Sequence, residues 1–139
     1  MYAHQMRENP PENQEKSDKF IHKRSLGQNF LTSTVVPNWM CEAGEVKNGD
    51  IILEIGPGTG MLTKVLLERG AIITAVEADE RAITTLNEMF QKELKSGQLT
   101  IHHGDAREIT PEILGLQDCG FKVVANIPYY LSGFLLRTL

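Results

Sequence analysis

Apolar positions along the chain follow two different rhythms, and the switch between them predicts the fold. Ile51–Ile55 is a short run with no helical spacing and reads as a buried strand. Residues 61–69 then place Met61, Leu62, Val65 and Leu66 at helical intervals, and Gly70 closes that helix. A second apolar run at 71–76 predicts a strand ending at Glu77. Residues 80–95 predict one long helix, with Ile83, Leu86, Phe90 and Leu94 on one face and Gly97 as its stop. A third strand is expected at 99–102 and a fourth at Phe121–Ala125. Between them Thr110-Pro111-Glu112 reads as the capped start of a short helix, and residues 132–139 begin another.

Upstream, residues 34–40 read as a helix start capped by Thr34 or a neighbour. Pro37 falls in its first turn, where the missing N–H costs little. Gly44 is the expected end, and Asn48-Gly49-Asp50 a turn. Residues 1–19 lack apolar periodicity, carry Pro10-Pro11 and are expected to form a disordered leader; the domain is read as 20–139. Trp39, Phe90 and Phe121 are expected in the core.

Alternating strands and helices predict an α/β fold, a parallel sheet with helices on both faces. Ligands of such sheets bind beyond the carboxyl ends of the strands. The distinctive residues fall there: glycines after the first strand, Glu77 after the second, Asp105 after the third and Asn126 after the fourth.

Composition narrows the class. At 139 residues, 41% hydrophobic and 23% charged, the chain can build one domain with a core. It contains neither an apolar run of membrane-spanning length nor a secretory h-region. Cys41 and Cys119 lack metal-ligand spacing, and a reduced, cytoplasmic setting is expected with both as packing residues. His22, His102 and His103 form no metal set, so no metal is expected. The net charge of −4 does not advertise nucleic-acid binding. Lys16, Lys19, His22, Lys23 and Arg24 nevertheless cluster ahead of the domain. They suit phosphate contact or a solvated tail equally.

Glu54-Ile55-Gly56-Pro57-Gly58-Thr59-Gly60 spaces its glycines as G-x-G-x-G. Gly56, Gly58 and Gly60 let backbone approach a ligand, or simply make a tight turn. A dinucleotide fingerprint would be G-x-G-x-x-G, so a mononucleoside cofactor is favoured over a pyrophosphate. Glu77, about 20 residues on, suits ribose hydroxyls or an exposed strand end. Asp105, in Gly104-Asp105-Ala106, suits an adenine amino group, a cap or a loop. Glu54 sits in an apolar run and demands partners such as loop N–H groups, or serves the aminoacyl part of a cofactor.

Asn126-Ile127-Pro128-Tyr129 suits an exocyclic amino group on a planar ring. Asn126 Oδ1 and the Ile127 carbonyl can accept its two hydrogens, Pro128 turns the chain, and Tyr129 offers a stacking face. Drawing the nitrogen toward tetrahedral geometry frees its lone pair to attack a sulfonium methyl. Positioning then supplies most of the gain. A turn-forming Asn-x-Pro is the structural alternative, and Tyr130 suits either packing or stacking.

With these motifs assembled, the sequence resembles the ribosomal RNA adenine N6,N6-dimethyltransferases of the KsgA type, from about Lys23 onward. The likeness is carried by Leu26-Gly27-Gln28-Asn29-Phe30-Leu31, Leu53 to Gly60, Glu77, Gly104-Asp105-Ala106 and Asn126-Ile127-Pro128-Tyr129-Tyr130. It implies the class I S-adenosylmethionine-dependent methyltransferase fold, Rossmann-like, here ending after the fourth strand. It implies that Gln28 and Asn29, with the glycine loop and Glu54, contact the methionine end of S-adenosylmethionine. Glu77 would hold the ribose, Asp105 and Ala106 the adenine, and Asn126 and Tyr129 the target base. The implied substrate is small-subunit (16S) ribosomal RNA in an immature subunit, dimethylated during ribosome maturation by a monomer. The resemblance further implies three more strands and a helical C-terminal domain, so activity is expected of a longer form. The related erythromycin-resistance methyltransferases share much of the pattern and imply large-subunit RNA instead. A non-catalytic cofactor-binding module for ribosome assembly and a nicotinamide-dependent enzyme are the readings from other classes.

Overall fold

The computed structural model describes residues 33–116, 118, 120–126 and 133. All of these but Ser33 belong to one unit, residues 34–139. Its elements run α1 (Val35–Ala43), β1 (Ile51–Ile55), α2 (Met61–Glu68), β2 (Ile72–Glu77), α3 (Glu80–Met89), α4 (Gln91–Ser96), β3 (Leu99–His103) and β4 (Phe121–Ala125). The strands form a parallel sheet in the order β3-β2-β1-β4. β1 lies inside, Ile51 pairing with Ile72 on one side and Phe121 on the other.

Strand side chains alternate between the two faces. Ile52, Ile73, Ala75, Leu99 and Val124 meet Cys41, Leu62, Val65, Leu66, Leu86 and Phe90 from the helices in the larger core. Burying a side chain such as Leu66 or Leu86 contributes about 1.5–3 kcal/mol. The opposite face gathers Leu53, Ile55 and Val76 with Leu116, Ile109, Phe121 and Ala125. Lys122 fastens the start of β4, donating to the Glu45 carbonyl at 2.7 Å and to Asp50 Oδ2 at 2.9 Å.

Several expectations need correction. The helix predicted over 80–95 is two: Phe90, at φ −117° and ψ 37°, breaks it. Its ring turns inward to pack against Gly60, where a Cβ would lie 2.9 Å from Phe90 Cε2. Burial of one aromatic thus outweighs helix continuity. The short helix expected from Thr110 is a series of turns, with Leu114 N–H bonded to the Thr110 carbonyl and Leu116 N–H to that of Pro111. Among the described residues the helices pack on one face of the sheet, and the turn segment 106–116 lines the other. Trp39, expected in the core, is 63% exposed. Thr34 occupies the N-cap of α1 without a side-chain cap bond, and Asn38 Nδ2 donates to the Thr34 carbonyl instead. β3 runs one residue further than expected, to His103. Residues 1–32, Cys119 and nearly all of the helix expected at 132–139 lie outside the described residues.

Candidate cofactor site at the carboxyl edge of the sheet

Parallel pairing delivers the rim. Gly56 N–H donates to the Val76 carbonyl at 2.8 Å and Gly104 N–H to that of Glu77 at 3.0 Å, so the ladders continue one residue beyond the strands. Ile55 pairs with both Val76 and Ala125, which sets Glu77 and Asn126 on either side of Gly56.

The three glycines of the turn do different jobs. Each has positive φ, between 54° and 77°. A Cβ on Gly56 would meet nothing within 4 Å, and one on Gly58 only the Gly56 carbonyl at 3.8 Å. Backbone there is open to a ligand. A Cβ on Gly60 would strike Leu86 Cδ2 and Phe90 Cε2, both at 2.9 Å. Gly60 starts α2 and lets α3 close in, a packing role beside the ligand-facing one expected of it.

Glu77, 8% exposed, cross-links the turn to its own strand. Its Oε2 accepts from Gly58 N–H at 3.0 Å, and Oε1 from the N–H groups of Ala78 and Asp79, both at 2.9 Å. A carboxylate has roughly four acceptor positions. One on Oε2 therefore stays open for a hydroxyl.

Glu54 departs from expectation. It is fully buried, and neither carboxylate oxygen accepts a hydrogen bond. Of the loop N–H groups expected to serve it, that of Gly58 goes to Glu77. Thr63 Oγ1, on the first turns of α2, is likewise buried without a partner. Burial pushes the Glu54 carboxyl up to about 8. Thr63 draws it down from close by, short of a formed bond, while the Glu77 charge pushes it up.

Asp105 is engaged by Arg107. Oδ1 accepts from Arg107 N–H and Nε, both at 2.9 Å, and Oδ2 from Nε at 3.0 Å and from the guanidinium Nη2. The fork holds the Asp105 carboxyl down at about 2. Asp79 and Arg81 repeat the arrangement after β2. Ala106 packs against the second core. Asn126 is exposed directly after β4. Gln28, Asn29, Ile127, Pro128 and Tyr129 lie outside the described residues. Thr63 and Arg107 were not foreseen. Asp-x-Arg after a strand is a usable signal for the fork, whereas nothing in the sequence sets Thr63 apart. Among the described residues no helix is long and apolar enough to cross a membrane, and no His, Cys, Asp and Glu group could hold a metal.

Open backbone at Gly56 and Gly58, a free acceptor on Glu77 and an unpartnered acid beneath the turn fit a cationic nucleoside such as S-adenosylmethionine. The strand order and this rim define a class I S-adenosylmethionine-dependent methyltransferase fold. Residues 19–139 match the family model described as ribosomal RNA adenine dimethylase, and the chain belongs to that family. Ribosomal RNA small subunit methyltransferase A of Dehalococcoides mccartyi (strain ATCC BAA-2266) is 40% identical over 116 residues, 83% of this chain and 38% of that protein. Its namesake in Deinococcus radiodurans is 40% identical over 113 residues, covering 81% and 36%. The chain thus spans less than half the length of these relatives. Among solved structures, a dimethyladenosine transferase from Plasmodium falciparum superposes with TM-score 0.57 at 30% identity, covering 73% of this chain and 34% of that one. The 23S rRNA methyltransferase ErmE gives 0.60 at 25%, covering 73% and 38%. The family and these neighbours depend on S-adenosylmethionine.

Proposed function

We propose that this chain provides the cofactor-binding part of an adenine N6-methyltransferase that dimethylates small-subunit ribosomal RNA during ribosome maturation. The cytoplasm and the immature small subunit are its setting and partner, and the protein acts as a monomer. The observation carrying this reading is one rim that holds open glycine backbone, an oriented Glu77 carboxylate, Asp105 and Asn126. The curated relatives matched at about 40% identity bear the small-subunit name, which favours that RNA over the large-subunit alternative.

Each residue has a role in this reading. Gly56 and Gly58 admit the aminoacyl end, where Gln28 and Asn29 assist. The free Oε2 position of Glu77 accepts from a ribose hydroxyl. Asp105, with Ala106 beside it, accepts from the adenine amino group once Arg107 yields part of its fork. Asn126 Oδ1 and the Ile127 carbonyl accept the hydrogens of the target amino group, Pro128 fixes that turn, and Tyr129 stacks on the base. The bound cofactor supplies an electrophilic methyl on a sulfonium. No strong general base is needed, because orientation of the amino nitrogen lowers the barrier.

Calorimetric titration with S-adenosylmethionine tests the cofactor half, with Asp105→Ala alongside. Saturable binding that the substitution weakens supports the reading. A folded chain that binds nothing overturns it.

A further inference from the structure

The end of β3 carries a histidine that the proposed chemistry leaves unused. His103 closes the strand, pairs in register with Glu77 and is exposed. Its Nε2 lies 3.3 Å from the Ala78 carbonyl oxygen. A carbonyl can only accept, so Nε2 carries the hydrogen of this bond. Ala78 C=O and Asp79 N–H belong to one planar trans peptide unit, in which they point opposite ways. The Asp79 N–H donates to Glu77 Oε1 at 2.9 Å, beside that of Ala78. This peptide plane is therefore held from both sides, by the imidazole at its oxygen and by the carboxylate at its nitrogen. Glu77 Oε2 in turn accepts from Gly58 N–H at 3.0 Å. A continuous path of polar contacts thus runs from β3, through the loop after β2, to the glycine turn after β1. The ladder between β2 and β3 reaches the Glu77 carbonyl through Gly104 N–H, and the His103 ring reaches one peptide further. Turning that peptide would withdraw one of the two donors on Oε1 and release the carboxylate to rotate.

We infer that His103 is a positioning residue for cofactor recognition: its imidazole fixes the peptide between Ala78 and Asp79, and this peptide aims the open Oε2 position of Glu77 at a ribose hydroxyl. The inference rests on the cofactor reading above and adds to it a side chain that acts through Glu77 without touching the ligand. Its consequence is selective. Loss of the imidazole weakens the contact to the ribose hydroxyls and leaves the rest of the ligand's contacts in place. A tie that merely stabilised the fold would weaken every part of the ligand alike.

The test is calorimetric titration of the chain with S-adenosylhomocysteine and with its counterpart lacking both ribose hydroxyls. The wild type should prefer the hydroxylated ligand by about tenfold or more, the scale of a hydrogen bond to a charged acceptor. His103→Leu should bind S-adenosylhomocysteine about fivefold more weakly, the scale of one neutral hydrogen bond, and the dideoxy ligand within about twofold of the wild type. His103→Gln keeps an N–H donor at a similar reach and should restore the preference. Equal losses for both ligands in His103→Leu, no loss for either, or failure of His103→Gln to restore the preference overturns the inference and leaves the cofactor reading standing. A wild type indifferent to the hydroxyls overturns the ribose role of Glu77 and the inference with it. Absence of binding of both ligands by the folded chain overturns the cofactor reading itself.

Discussion

Glu54→Gln isolates the energetic consequence of burying an acid without donors. The Glu54 carboxyl is raised from 4.5 in the unfolded chain to about 8 in the folded one, chiefly by burial. At about 1.4 kcal/mol per pH unit, that span amounts to about 5 kcal/mol. Between these values the unfolded chain has lost the proton and the folded chain keeps it. Stability from this group is therefore complete below pH 4.5 and declines by about 1.4 kcal/mol per pH unit until about pH 8. Glutamine has nearly the same shape, cannot ionise and lacks this slope. Urea denaturation of both proteins from about pH 5 to about pH 8 gives the comparison, with equal m-values confirming the same surface exposed. The variant should gain on the wild type by about 4 kcal/mol across that range. Parallel stability curves would refute the reasoning, since they would mean that Glu54 carries the same protonation in both states.

The glycines separate packing from ligand approach. Gly60→Ala should cost about 2–4 kcal/mol, because left-handed strain adds to the collision with Leu86 and Phe90, and a urea midpoint reports it. Gly58→Ala should cost about 1–2 kcal/mol of strain alone, yet weaken S-adenosylmethionine binding more than Gly60→Ala does, as read by calorimetry. Arg107→Leu removes the guanidinium from both Asp105 oxygens, leaving only the backbone N–H of residue 107 on Oδ1, and cofactor affinity should rise a few-fold, consistent with an exposed ion pair of small net worth. Asn126→Ala in a protein of the relatives' length should lower methyl transfer to small ribosomal subunits by about 10²–10³-fold, the scale of one lost orienting acceptor, with the cofactor Kd unchanged.

Strands and rim were legible because each depends on a local pattern. Largely apolar runs of five or six residues, stopped by glycine, an acid or asparagine, mark β1, β2 and β4 within a residue of their observed ends. What escaped depends on contacts between distant segments. Phe90 has the spacing of a continuing helix, and only the room left by Gly60 across the core turns it inward. Trp39 was assigned to the core by residue type, but α1 buries Pro37 and Cys41 and leaves the indole outward. The loop N–H groups expected at Glu54 failed to reach it for a similar reason, that of Gly58 going to Glu77. Glu54 is nearer in sequence, yet its side chain points into the helix layer, whereas Glu77 reaches the turn across a register that sequence alone does not reveal.

That register explains why so few residues suffice to define the site. Ala125, Ile55 and Val76 share one row of the sheet, so Asn126, Gly56 and Glu77 share the next, and Glu77 in turn pairs with His103. Gly104 closes on the Glu77 carbonyl and places Asp105 one step beyond. The row Asn126, Gly56, Glu77 and His103 thus runs across the edge, with Asp105 two residues past it. A slip of one residue in any pairing would turn that strand's side chains to the other face. The slip is resisted far from the rim, by Ile52, Ile73, Leu99 and Val124 in the larger core and by the Lys122 anchor to Asp50. The core, rather than any contact among the rim residues themselves, therefore aligns Asn126 with Gly56. Glu77 adds a direct tie through Gly58, and the His103 ring another to the Ala78 carbonyl. The position of Asn126 consequently depends on one ladder and one surface ion pair, while the Glu77 end of the rim is held by two ladders and three backbone hydrogen bonds.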